Sequence, residues 1–132
     1  MSDFVTFKLA NKLNKKGFPN HISNYVYIVK DTEENSEEDF YEKEFASYIP
    51  DYLTTIGCPT ISQVLKWLKE EKKIYIAIDF FRSNGNTDMW WTYSVRYIED
   101  DSTENIFESC RRKSWEQAAL AGIEYVLDSN VI

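Results

Sequence analysis

Apolar residues recur along the chain with two periods, 3.6 residues in some segments and two in others. Apolar side chains three and four positions apart predict three helices. The first begins after Thr6, the second after Thr60 and the third after Ser114. A Gln three residues beyond each of the last two starts, Gln63 and Gln117, predicts a capping box at both.

The first strand is predicted at residues 24–30, where both faces of an extended chain are apolar. Such a strand belongs in the interior of a sheet. Residues 40–53 fit a helix loosely and a strand over 41–47 equally well. The strand is preferred because it would return antiparallel to the first. Residues 99–110 are interpreted as a polar linker.

A β-hairpin is predicted from residues 74–80 and 89–98, which alternate between apolar and polar positions. The Asn-Gly pair at 84–85 between them is a strong turn signal. The isoleucines of the first strand occupy even positions, and the large apolar residues of the second strand occupy odd positions. The two sets share one face of the hairpin only if an even residue lies opposite an odd one, such as Phe80 opposite Trp91.

These elements predict an α+β fold, with one antiparallel sheet of about four strands and about three helices packed on it. The 132 residues are expected to form a single globular domain spanning 1–132. Gly122 lies within the third helix, where glycine costs about 1 kcal/mol relative to alanine. We therefore expect it to mark close packing of that helix on the sheet.

The negative charge of the chain is concentrated in one segment. The net charge is −7, and eight of the 22 acids lie between Asp31 and Glu44, so the rest of the chain is neutral. Residues 31–39 are expected to form an exposed acidic loop. A neutral body with an acidic loop lacks the basic face that nucleic-acid binding requires. No nucleic-acid partner is predicted.

The location of the protein is inferred from its cysteines and apolar runs. Cys58 and Cys110 have no metal or redox spacing, and two cysteines in a chain rich in Lys and Glu indicate an intracellular protein. No apolar run is long enough for a signal peptide or a membrane span. The prediction is a cytoplasmic protein without membrane association.

Catalytic chemistry finds little support in the sequence. His21 is the only histidine, which excludes a histidine-rich metal site and favours a surface loop position. Cys58 precedes a helix start, but a packed small side chain is preferred to a nucleophile. Asp79 is expected to pair with Arg96 across strands. Residues 31–42 match a calcium loop only partly. No catalytic residue, metal or cofactor is predicted, and an enzyme is disfavoured without being excluded.

The candidate binding surface combines aromatic and basic residues. Exposed Trp and Tyr are typical anchors of protein interfaces, and a basic cluster suits an acidic partner. The predicted binding residues are Trp90, Trp91, Tyr93, Tyr97, Arg111, Arg112 and Lys113. The expected partner is another protein, with a homodimer as a further possibility.

Three segments also resemble those of a known family. They are VTFKLANKLNKKGF near the start, CPTISQVLKWLKEEKKIYIAI in the middle and SWEQAALAGIEYVL near the end. The pattern resembles a family of small uncharacterised proteins of gut anaerobic bacteria and their phages. That family usually has Ala-Pro-Thr and an aromatic residue before the Gln, where this chain has Cys58-Pro59-Thr60-Ile61. The resemblance implies a fold but no activity and no catalytic residues.

Three functional hypotheses of different classes follow. The first is a small non-catalytic protein-interaction or regulatory domain. The alternative is an acidic inhibitor that imitates nucleic acid, which the phage-like resemblance would suit. The second alternative is an enzyme of unrecognised type.

Overall fold

The computed structural model describes residues 3–29, 41–45, 55–83, 85, 88–99, 102–105, 111–129 and 132. In chain order the elements are α1 (Phe7–Lys15), a 3-10 turn (Asn20–Ile22), β1 (Tyr25–Val29), β2 (Tyr41–Phe45), β3 (Thr55–Cys58), α2 (Ile61–Glu71), β4 (Ile74–Arg82), β5 (Met89–Tyr97), β6 (Ser102–Asn105) and α3 (Trp115–Asp128). The predicted acidic loop at 31–39 lies outside the described residues, as does Cys110.

The α+β class is confirmed, with three α-helices and antiparallel strands among the described residues. The strands form two three-stranded sheets, in the orders β2-β1-β3 and β4-β5-β6, where one sheet of about four strands was expected. The chain divides into two compact units, Met1–Gln63 and Val64–Ile132, with one sheet in each. The single domain stays a prediction.

In the first unit, α1 begins after Thr6, as its sequence predicts, and ends before Gly17. The Thr6 side-chain oxygen accepts a hydrogen bond from the Leu9 N–H at 3.3 Å. Gly17 has a φ of 91°, the left-handed conformation that glycine adopts without strain after a helix. The Phe18 N–H then donates to the Leu13 carbonyl at 3.0 Å. Phe18 and Leu13 are both buried, so the chain folds back onto the apolar side of α1.

The sheet of the first unit is built around β1, as the apolar character of both its faces predicts. β1 pairs antiparallel with β2 on one side and with β3 on the other. Residues 41–45 are therefore a strand, which confirms the preferred interpretation of that segment. The buried Tyr27 hydroxyl donates a hydrogen bond to the Val5 carbonyl at 2.6 Å. The Asn20 side-chain oxygen accepts from the Gly57 N–H at 3.0 Å and holds the 3-10 turn to β3.

The start of α2 is the predicted capping box. The Gln63 N–H donates to the Thr60 hydroxyl oxygen at 3.1 Å, and the Thr60 N–H donates to the Gln63 side-chain oxygen at 2.9 Å. The Gln63 amide nitrogen also donates to the Ile22 carbonyl at 3.0 Å. Two helix-terminal donors are thus satisfied locally, and the same Gln63 ties the helix start to the preceding turn.

The second unit is organised by the β4–β5 hairpin. The predicted register is confirmed, because Phe80 lies opposite Trp91. In this register the even residues of β4 and the odd residues of β5 share one face of the sheet. α3 packs on that face, with its residues Ala118, Ala119, Ile123 and Val126 fully buried.

Gly122 lies where α3 packs closely against the sheet. A Cβ atom placed there would lie 2.8 Å from Cγ2 of Ile76 and 3.2 Å from Cδ2 of Tyr93. The expected close packing is confirmed, because these contacts are shorter than a side chain at this position would allow.

Two short strands and one side-chain pair depart from the sequence prediction. β6 lies within the segment interpreted as a polar linker and pairs with β5. β3 was not predicted. The Asp79–Arg96 pair was wrong, since Asp79 lies opposite Thr92 and Arg96 is four residues further along β5, about 13 Å away. Arg96 instead donates to the Thr103 hydroxyl at 3.3 Å.

In the part of the chain that the structure describes, no helix has the length and apolar character that crossing a membrane would require.

Candidate functional site

Trp90 is the centre of a stack of side chains on the sheet of the second unit. The Phe81 and Trp90 rings lie 5.9 Å apart between centroids, with an angle of 13° between their planes. The Arg111 guanidinium carbon lies 4.0 Å from the centroid of the Trp90 ring. We call Phe81, Trp90 and Arg111 the Trp90 stack. Its geometry combines aromatic stacking with a close cation–π contact.

The register of the strands explains why these three side chains meet. Phe81 lies directly opposite Trp90 in the β4–β5 ladder. On the other side of β5, Arg112 forms an antiparallel bridge with Trp91, through hydrogen bonds of 2.7 and 2.8 Å. The side chains of two paired residues point to the same face, and the next residue along each strand points to the other face. Trp90 and Arg111 each precede a member of the Trp91–Arg112 pair, so their side chains share the opposite face. The bridge thereby places the guanidinium over the indole.

Apolar side chains next to the stack are exposed to solvent. Met89 is 57% exposed, Phe80 45% and Phe81 36%. The Phe80 ring packs against the half-buried Trp91 ring with 4.9 Å between centroids, on the other face of the hairpin. The turn end of the hairpin therefore presents large apolar side chains on both faces of the sheet, the arrangement expected of an interaction surface.

The Trp90 side chain has an unsatisfied donor. Its Nε1 atom is shielded from solvent and has no hydrogen-bond partner among the described residues. A buried donor without an acceptor costs about 1–3 kcal/mol, so such groups are rare and point to a function or a missing partner. The exposed Arg111 guanidinium is a further donor beside the ring, and a carboxylate is the acceptor that suits it best.

The charges beside the stack are mainly positive. The cations adjoining it in sequence are Arg82, Arg111, Arg112 and Lys113, and the acids are Asp79 and Asp88. This balance is opposite to that of the whole chain, which carries −7. The local excess of cations favours an acidic surface as the complement.

Tyr93 does not belong to the exposed surface. It is only 4% exposed and lies beneath α3, against the Gly122 backbone. Arg112 is half-buried and acts through its backbone bridge, whereas Lys113 is exposed and its N–H donates to the Gln117 side-chain oxygen at 3.1 Å. Of the predicted binding residues, the structure brings Trp90 and Arg111 together directly, with Trp91 and Arg112 beside them.

Tyr97 takes part in a different contact, centred on Glu104 of β6. The Tyr97 hydroxyl donates to Glu104 Oε1 at 3.2 Å, and the Tyr125 hydroxyl of α3 donates to Glu104 Oε2. The hydrogen bond to Glu104 raises the pKa of Tyr125 above its ordinary value, with burial and the negative charge of Glu104 as further causes. A hydrogen bond with Ser129 opposes the rise. One carboxylate thus joins β5, β6 and α3.

The residues considered for catalysis lie in unrelated settings. His21 is exposed in the 3-10 turn, Cys58 is 1% exposed in β3, and Asp79 is exposed on β4. Burial of Cys58 agrees with the packed role preferred for it. Among the described residues, no three His, Cys, Asp or Glu side chains are grouped as metal ligands.

A cleft of about 420 Å³ opens in the second unit. Its walls come from α2, β4 and the first residue of α3, and the lining residues are Leu65, Lys66, Lys69, Glu70, Tyr75, Ile76, Ile78 and Trp115. None of His21, Cys58 and Asp79 lines it. The cleft is therefore separate both from the residues considered for catalysis and from the Trp90 stack.

Phe81, Met89 and Glu104 were missed as candidate residues. The signal for Phe81 was present, since a register that places Phe80 opposite Trp91 also places Phe81 opposite Trp90. Glu104 had no such signal, because its role depends on a strand that the polar sequence of 102–105 does not reveal.

No protein-family model, curated protein or solved structure was found to match this chain. The resemblance to a family of small proteins of gut anaerobes and phages stays a prediction.

Proposed function

We propose that this chain is a small, non-catalytic protein-interaction domain whose Trp90 stack binds an acidic and apolar patch on a partner protein. The observation that supports it most is the placement of the Arg111 guanidinium 4.0 Å from the centroid of the Trp90 ring, beside the Phe81 side chain, which is 36% exposed. Trp and Arg are the residue types that most often dominate binding energy in protein interfaces.

The chemistry of the partner follows from the donors and the apolar rim. A carboxylate of the partner would accept from the exposed Arg111 guanidinium. Phe81 would then pack against apolar side chains of the partner, which excludes water from the ion pair and strengthens it. A second copy of this chain that paired through the same surface would be less suitable, because both of the facing surfaces would carry an excess of cations.

The test compares proteins captured from a lysate of the source organism by the tagged wild-type chain and by four variants. Trp90→Ala removes the ring and Arg111→Glu reverses the charge over it. Ile98→Ala and Arg96→Glu are the matched controls, since Ile98 is 44% exposed and Arg96 is exposed on the same strand as Trp90.

We expect a protein that is captured by the wild type and both controls, and lost with Trp90→Ala and with Arg111→Glu. Titration of the purified partner should then show each loss as an increase in Kd of about 30-fold or more, the effect of an interface hot spot of about 2 kcal/mol. Captured sets that do not differ between wild type and the Trp90 and Arg111 variants would contradict the proposal. Light scattering that shows a dimer dispersed by Trp90→Ala would assign the surface to a second copy instead.

A further inference from the structure

The outer edge of β4 carries backbone groups that no described strand uses. β4 ends its sheet, with β5 as its hydrogen-bonded neighbour. The Ser83 N–H donates to the Asp88 carbonyl, and the Ile98 N–H donates to the Lys73 carbonyl, in the same register as the β4–β5 ladder. In an antiparallel pair, bonded and non-bonded positions alternate. The odd residues of β4 therefore bond to β5, and the even residues direct their N–H and C=O groups outward.

The opposite side of β5 supports this assignment. The Trp91 N–H and C=O groups both bond to Arg112, away from β4. Trp91 lies opposite Phe80 in the ladder, so Phe80 and Trp91 exchange no backbone hydrogen bonds with each other. This agrees with the alternation of bonded and non-bonded pairs along β4. The outward-directed positions of β4 include Ile76, Ile78 and Phe80, which span about 13 Å of strand edge.

Two of these outward-directed residues line the cleft. Ile76 and Ile78 form part of one wall, and α2 supplies the facing wall through Leu65 and Lys69. The volume of about 420 Å³ lies within the range of ligand clefts. A groove bounded by a helix and by an open strand edge accepts an extended peptide, because another backbone supplies acceptors and donors at the matching spacing.

The charges of the cleft indicate which peptide it suits. Lys66 and Lys69 are exposed along its α2 wall, where Glu70 is the one acid among the lining residues. Lys69 Nζ also lies 5.7 Å from the centroid of the Tyr75 ring. Apolar surface comes from Leu65 and the half-buried Trp115. An extended segment in which apolar and acidic side chains alternate complements both features.

We propose that the cleft between α2 and the outer edge of β4 binds an extended acidic peptide segment, which adds to the sheet as a strand beside Ile76 and Ile78. This site is independent of the Trp90 stack, and neither proposal requires the other. The peptide backbone supplies hydrogen bonds to the even residues of β4, and its acidic side chains lie near Lys66 and Lys69.

The variant that tests strand addition is Ile78→Pro. Proline removes one outward N–H, while the hydrogen bonds to β5, which the odd residues make, are kept. Ile78→Val keeps the N–H and is the matched control. Lys69→Glu tests the charge, and Trp90→Ala reports on the other site. Tryptophan fluorescence and circular dichroism verify that each variant is folded.

The binding assay uses fluorescein-labelled peptides selected for binding to the full chain from a random decapeptide display library. We expect the selected peptides to alternate apolar and acidic residues. Their Kd should increase about tenfold or more with Ile78→Pro and with Lys69→Glu, and stay unchanged with Ile78→Val and Trp90→Ala. The same peptides, N-methylated at the alternate residues that would bond to β4, should lose binding to the wild-type chain. This last arm leaves the protein unaltered and so does not depend on the folding of a variant.

Four outcomes would overturn the proposal. They are a failure to select any peptide, selected peptides without acidic residues, binding that Ile78→Pro leaves unchanged, and N-methylated peptides that bind as well as the parents. A dimer seen by light scattering and dissociated by Ile78→Pro would show that a second copy occupies the edge instead.

Discussion

Replacing Gly122 with alanine tests the close packing of α3 on the sheet of the second unit. The new Cβ would lie 2.8 Å from Cγ2 of Ile76 and 3.2 and 3.3 Å from two ring atoms of Tyr93. Ile76 is 6% exposed and Tyr93 4%, so neither side chain has solvent into which it can move. Ile76 is also β-branched, which restricts rotation about its χ1. The helix backbone must therefore shift away from the sheet.

Two opposing terms set the size of the effect. Alanine in a helix interior is favoured over glycine by about 1 kcal/mol. Inserting a methyl group into a packed core costs about 1–3 kcal/mol, and a contact as short as 2.8 Å places this site toward the upper part of that range. We expect the free energy of unfolding to fall by about 1–2 kcal/mol.

Urea unfolding followed by tryptophan fluorescence measures this directly. All four tryptophans lie in the second unit, at positions 67, 90, 91 and 115, so the signal reports on the unit that contains the substitution. Ala121→Gly in the same helix serves as a control for the intrinsic preference alone and should cost about 1 kcal/mol.

A double-mutant cycle identifies the contact responsible. Ile76→Ala removes the Cγ2 atom that the new methyl group would meet, so Gly122→Ala should cost at least about 1 kcal/mol less in that background. The reasoning is refuted if Gly122→Ala stabilises the wild-type chain by the full helix preference, or if its effect is the same with and without Ile76.

Two further predictions concern the start of α2 and the Glu104 contact. Thr60→Ala removes the acceptor of the Gln63 N–H and should lower the free energy of unfolding by about 1 kcal/mol. Thr60→Ser keeps the hydroxyl and should stay close to the wild type, with urea unfolding of both variants followed by far-ultraviolet circular dichroism. The raised pKa of Tyr125 should appear as a tyrosinate absorbance transition above pH 10 that is absent from Tyr125→Phe, and Glu104→Gln should move it to lower pH. Because the pKa is raised by folding, this contact contributes its full stability below about pH 10 and loses it as the pH rises through the folded-state pKa. A Tyr125 transition that does not respond to Glu104→Gln would contradict the assigned cause.

The hairpin and the helix starts could be predicted because their determinants are local. The Asn-Gly pair in the sequence predicted a hairpin, and the alternation of apolar residues in its two strands predicted the register, with Phe80 opposite Trp91. The capping residue Thr60 lies three residues from its partner, and Gly17 is next to the helix that it ends. These interactions act over a few positions, so a single sequence contains both partners.

The division into two sheets could not be predicted because it depends on contacts distant in sequence. β3 and β6 have four residues each, too few to show an alternating pattern, and polar residues fill β6. The contact at the centre of the candidate site could not be predicted for the same reason. Trp90 and Arg111 were both candidates, but the contact between them depends on the bridge from Trp91 to Arg112, some twenty residues along the chain.

Asp79 has a consequence for the behaviour of the protein at high concentration. A long strand edge bearing exposed aromatic residues is a template on which further copies can pair and aggregate. β4 is such a strand, with Tyr75 and Phe80 each 45% exposed, and Asp79 is an exposed carboxylate within it. When two copies pair along this edge, each must bring a charged group against the sheet of the other, and that cost opposes growth of the pair into larger assemblies. One acidic side chain thus opposes pairing of copies along a strand edge that no other described strand covers.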